Sequence, residues 1–169
     1  MLSSLVIAAP ENRQLGPYAV SLNVNTNNYQ VQVQSPQETP SYTSYSMLIS
    51  TDNSTYAGVR IINYKNMTDS TRDVYKNLVG LTMALRGLNV TTIDDRTIDG
   101  KQSFVAVGVP VRGLNAPAGF TYSQADYWLD SKPCPCGPVS VGTTLVDMVS
   151  TYPQDVTNGI LSSIHVAQA

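Results

Sequence analysis

The stretch that most constrains the fold is residues 69–88, DSTRDVYKNLVGLTMALRGL, because no other long segment carries a helical period. Val74, Leu78, Leu81, Leu85 and Leu88 recur at alternating four- and three-residue steps, which stacks them on one face of a helix. Asp69 or Thr68 can cap its start, and Ser70 with Asp73 forms a loose capping box. Arg86 suits the negative end of the helix dipole, and Gly87 is a natural left-handed stop. Gly80 costs about 1 kcal/mol against Ala inside a helix, a cost expected to allow close approach to a sheet. The expectation is one amphipathic helix over about 69–87 with its leucine stripe turned inward.

Most of the remaining chain alternates with period two. Residues 18–25 place Tyr18, Val20, Leu22 and Val24 on one face, and residues 29–34, YQVQVQ, do the same with Tyr29, Val31 and Val33. These two strands are expected to form a hairpin across the cluster 25–28. Residues 42–50 and 56–64 read as two more strands. After the helix, residues 89–97 lead into Asp99-Gly100, a hairpin turn pair, and then into 103–111, which is apolar on both faces. Strands over 122–129 and 139–150 follow. Pro153 opens a short helix over 154–163, with Val156, Ile160, Leu161 and Ile164 inward, and 165–169 reads as a tail. The fold class is α+β: an antiparallel β-sheet with the long helix on one face and the short C-terminal helix completing the cover. Residues 1–17 read as an N-terminal arm and 18–169 as a single domain.

Composition narrows the function. With 42% apolar and 13% charged residues the chain folds rather than staying disordered. A net charge of −2 and scattered basic residues give no footprint for nucleic acid. No stretch is long or apolar enough for a transmembrane segment. Hydroxyl and amide side chains dominate the polar residues, and sequons stand at Asn53, Asn66 and Asn89. Both features point to an extracytoplasmic or envelope location, with a cytoplasmic one as the alternative. The apolar start LVIAA lacks the basic n-region of a secretory signal, so it leaves both open.

Cys134-Pro135-Cys136 could bind a soft metal or exchange disulfides, although a structural zinc site wants about four ligands. The bland reading is two thiols in a surface loop. His165 is the sole histidine, so any Ser-His-Asp arrangement must use it, and its Ile-His-Val setting favours a packing role. Asp94, Asp95 and Asp99 surround Arg96 in what reads as a turn region, where Asp commonly bonds its own backbone. Tyr122, Gln124, Asp126 and Trp128 share one face of a strand, a row of aromatic, amide and carboxylate groups suited to a sugar or peptide ligand. The competing reading is a sheet face covered by other elements. No phosphate-binding glycine loop is present.

Thr97-Ile98-Asp99-Gly100 before a strand, Tyr127 within one, and the closing phrase 160–166, ILSSIHV, together with the order of elements, resemble the PsbP-like fold. That fold is named for an extrinsic photosystem protein and shared with a Ran-binding import factor. Through GPYAVSLNVN, TIDG and TYPQDVT the chain also resembles a group of small archaeal proteins. The resemblance implies no common catalytic site, and no cofactor is expected. The expected function is a non-enzymatic binding or assembly module, with a protein partner or a homodimer. A thiol- or metal-handling protein is the alternative, and a hydrolase through His165 ranks last.

Overall fold

The computed structural model describes residues 10–65, 72–113, 115–133 and 140–169. In chain order the strands before the first helix are β1 (Glu11–Leu15), β2 (Tyr18–Leu22), β3 (Gln30–Val33), β4 (Gln37–Glu38), β5 (Tyr42–Ser50) and β6 (Tyr56–Tyr64). Helix α1 (Arg72–Leu85) leads to β7 (Leu88–Ile98), β8 (Lys101–Pro110), β9 (Tyr122–Trp128), β10 (Lys132–Pro133), β11 (Ser140–Val141) and β12 (Thr144–Ser150). Helix α2 (Gln154–Ser163) and β13 (His165–Gln168) close the chain.

An eight-stranded antiparallel sheet runs β3-β5-β6-β12-β9-β8-β7, with β4 also paired to β5. A three-stranded sheet, β1-β2-β13, lies apart from it. Because side chains alternate along each strand, the large sheet has two different faces. Met47, Ile49, Val59, Ile61, Val105, Ala125, Tyr127, Val146 and Met148 point to one of them. They form a single core with Leu15, Tyr18, Val20 and Leu22 of the small sheet and with Val156, Ile160 and Leu161 of α2. This face is closed. The other face carries α1, which packs against β7, β8 and β9.

Several expectations hold in detail. The strands over 42–50 and 56–64 form, and α2 buries Val156, Ile160 and Leu161. The Asp99-Gly100 hairpin forms with φ of 52° and 69°, the positive values a two-residue I′ turn demands.

Others are corrected. Residues 11–15, read as part of an arm, form β1 and pair with β2. The strands at 18–22 and 30–33 do not form a hairpin: β2 pairs with β1 and β13, and β3 pairs with β5. The tail 165–168 is a strand. The short helix covers the face opposite α1, and the small sheet completes that cover.

The largest correction concerns α1. Tyr75, Val79 and Met83 pack inward, while Leu78, Leu81 and Leu85 are 46%, 57% and 80% exposed. Leu88 is buried, but as the first residue of β7. Gly80 makes no close approach, since a Cβ there would meet nothing within 4 Å. The glycine that admits the helix is Gly108 of β8, where a Cβ would lie 3.0 Å from Met83 Sδ and 3.3 Å from Leu88 Cβ. The capping positions Thr68, Asp69 and Ser70 lie outside the described residues.

Candidate functional site

Strand pairing builds the site. Ser46 faces Arg60, Arg60 faces Asp147, and Asp147 faces Asp126 across β5, β6, β12 and β9. Gln34, just past β3, extends the row, its side chain accepting from Ser46 Oγ at 2.8 Å. One step along the strands, Leu48, Gly58 and Val149 face one another and continue to Gln124. A polar row and an apolar row therefore lie side by side on the α1 side of the sheet. Because α1 rests on β7, β8 and β9, these rows stay open over β5, β6 and β12. The resulting groove has a volume of about 270 Å³ and is bounded at its far end by Arg86 and Tyr122.

At the inner end of the polar row the two carboxyl groups meet. Gln124 Nε2 donates to Asp126 Oδ2 and to Asp147 Oδ1, each at 3.3 Å. Burial first, and the facing Asp147 carboxylate second, push the Asp126 carboxyl well above the usual range. Burial also raises Asp147, but hydrogen bonding with Asp126 and the charges of Arg60 and Arg86 oppose it. Of the two, Asp126 is pushed up more strongly, and Asp147 is the one that lines the groove. Asp126 is only 3% exposed, so it supports Asp147 rather than reaching anything outside.

Both arginines keep donors free. Arg60 Nη2 lies 3.5 Å from Ser44 Oγ, and its guanidinium stands 5.5 Å from the centroid of the Tyr42 ring. Arg86 donates to Tyr122 Oη and lies 5.1 Å from the centroid of that ring. Among the described residues neither is ion-paired.

Tyr122, Gln124, Asp126 and Trp128 do share one face, as alternation requires, but α1 covers both rings. Tyr122 packs with Val79, Met83 and Phe104. Trp128 packs with Tyr64 and Tyr75 at ring-centroid distances of 6.3 and 5.3 Å. Only Gln124 of the four is half-buried rather than buried. The accessible continuation of the row is Asp147, Arg60 and Ser46, none of which the sequence reading singled out. A lone Asp in the apolar phrase LVDMV and a lone Arg in AGVRII were the available signals.

Cys134 and Cys136 lie outside the described residues. Asp94 and Asp95 sit on β7 rather than in a turn, and Asp95 pairs with Lys76 at 3.1 Å. His165 belongs to a clamp. Asp99 Oδ1 lies 2.6 Å from His165 Nδ1, and Asp99 Oδ2 accepts from Val166 N at 3.0 Å and from Tyr127 Oη at 3.2 Å. The clamp ties the β7–β8 turn to β13. Ser21 faces His165 in register, but no hydroxyl among the described residues bonds to the imidazole, so no nucleophile is assembled there. Among the described residues no group of three or more His, Cys, Asp or Glu could hold a metal ion, and no helix is long and apolar enough to cross a membrane. No protein-family model matches the chain, and no curated protein matches it.

Proposed function

We propose that this protein is a non-enzymatic binding module whose ligand lies in the groove beside α1. The observation that carries the reading is the polar row Ser46–Arg60–Asp147, which crosses three adjacent strands in register and remains uncovered. Charged side chains in the middle of a sheet are costly unless something uses them. Here Arg60 and Arg86 line the groove beside an apolar floor, and a few polar groups on apolar surface is the composition of small-molecule sites. The non-enzymatic part rests on the burial of Asp126 and on the absence of a bonded nucleophile at His165 among the described residues.

The assembly side of the reading is supported by Leu78, Leu81 and Leu85, an exposed apolar stripe of the kind that marks a partner or a second copy. An extracytoplasmic or envelope setting and a PsbP-like origin belong to the same proposal. The exposure of Asn53 and Asn89 supports the first, and a helix set between strands supports the second.

An amide-resolved NMR titration with a fragment set containing acids, alcohols, sugars and short peptides tests the ligand reading. Shifts confined to amides of β5, β6 and β12 are expected. Shifts that cluster elsewhere, or none with any fragment, would sink it.

A further inference from the structure

The groove has a chemistry more specific than its size. Its floor is the apolar row Leu48–Gly58–Val149, flanked by Arg60 on the next row and by Arg86 at the end where Tyr122 stands. Both arginines line this one groove, and the charges of both reach Asp147.

The charges do not cancel. Asp126 and Asp147 face each other in register, and repulsion between facing carboxylates opposes ionising both, so the pair presents about one negative charge. Arg60 and Arg86 bring two positive charges, and neither has an ion-pair partner among the described residues. The groove is left with about one positive charge over an apolar floor.

Gly58 makes the floor deep. It sits in the interior of β6, where a glycine weakens a strand and marks a close approach to its backbone. A Cβ there would lie 3.2 Å from Val149 Cγ2, so any side chain at this position fills the groove floor.

We propose that the groove binds a small organic anion, an apolar body bearing a carboxylate, with the body on Leu48, Gly58 and Val149 and the carboxylate in the combined field of Arg60 and Arg86. This rests on the reading of the groove as a ligand site and names the ligand class. Guanidinium groups are the side chains best suited to carboxylates, because their paired N–H groups match two oxygens. The volume of about 270 Å³ suits a small molecule rather than a protein segment.

The test compares hexanoate, acetate and 1-hexanol by NMR titration of the whole chain at neutral pH and moderate salt. Hexanoate is expected to bind at least tenfold more tightly than either of the others, with shifts on β6 and β12. Arg60→Gln and Arg86→Gln should each erase the preference for hexanoate over hexanol. Gly58→Val should weaken hexanoate and hexanol alike, and the two arginine variants keep the test decisive if that variant does not fold. Equal binding of hexanoate and hexanol in the groove overturns the anion proposal and leaves the ligand site standing. No binding of any of the three overturns the ligand class named here. If the broader fragment set also fails at the groove, the underlying reading falls with it.

Discussion

The two faces of the large sheet are built from the same strands and have opposite fates. One is sealed by α2 and by the small sheet into a continuous apolar core. The other is sealed over β7, β8 and β9 by α1 and left open over β5, β6 and β12. On the closed face every position of β12 is apolar or hydroxyl-bearing: Thr144, Val146, Met148 and Ser150, the last bonded to Thr157 at 2.8 Å. On the open face the same strand carries Asp147 between Leu145 and Val149. Charge is admitted where water or a ligand can reach it and excluded where it cannot. The closed face holds the molecule together, and the open face is where it can do something.

That contrast predicts the size of mutational effects. Ile61 is fully buried in the closed core, and Ile61→Ala should cost about 2–5 kcal/mol in denaturant unfolding. Leu81, larger in the apolar pattern but 57% exposed, should change stability by no more than about 0.5 kcal/mol when replaced by Ala. Comparable losses for the two variants would show that the leucine flank of α1 is buried in solution, by a second copy or a partner. On the covered part of the helix side, Gly108→Ala pushes a methyl toward Met83 and Leu88, and should cost about 1–3 kcal/mol by the same measurement. A neutral result would mean that α1 sits farther from the sheet than its packing indicates.

Helix α1 shows how a periodic stripe can differ from the buried one. The helix has two apolar stripes, Tyr75–Val79–Met83 and the leucines, and both repeat with helical spacing. Periodicity detects a stripe without saying what faces it. The more uniform leucine stripe reads as core, yet Tyr75 fits against Trp128 and Met83 fits over Gly108. The short helix α2 has one stripe only, and it was legible. Turn chemistry was legible at Asp99-Gly100 because two residues fix it locally. The pairing of β2 with β13 joins opposite ends of the chain, and no local pattern encodes it. The candidate site divides along the same line. Alternation placed Gln124 and Asp126 on a common face, but Asp147 and Arg60 join them only through pairing between distant strands.

The carboxyl pair gives the open face a pH signature that the closed face lacks. In the unfolded chain Asp126 titrates near its ordinary value of about 3.9, and in the fold burial and Asp147 raise it. Between those two values the folded state holds a proton that the unfolded state lacks, so stability falls as pH rises through that window. Below the window the contribution is fully present. Asp126→Asn keeps a donor toward Asp147 at every pH. Its Tm should exceed that of the parent protein by a few degrees near neutrality, with the gap closing as pH falls toward 4. Asp52 acts with the opposite sign, since hydrogen bonds from the Ser54 hydroxyl and from the Ser54 and Thr55 amides hold it down to about 2, and its contribution is lost only in stronger acid. A constant gap at all pH values would mean that Asp126 is ionised in the fold and that the two carboxyls do not share a proton.

The smallest effect sharpens the comparison most, because it asks whether the outer side of α1 is free. Gly80 lies within the helix, and a Cβ there meets nothing within 4 Å. Its backbone loses more freedom on folding than that of Ala, with no packing in return. Gly80→Ala should therefore stabilise the protein by up to about 1 kcal/mol, roughly 2–4 °C in Tm for a chain of this size. Thermal unfolding at several protein concentrations is the measurement. A gain independent of concentration fits an open helix surface at Gly80. A loss that is largest at high protein concentration and fades on dilution would place a second copy against Gly80, and the side of α1 away from the sheet would then count as an interface rather than as solvent-facing surface.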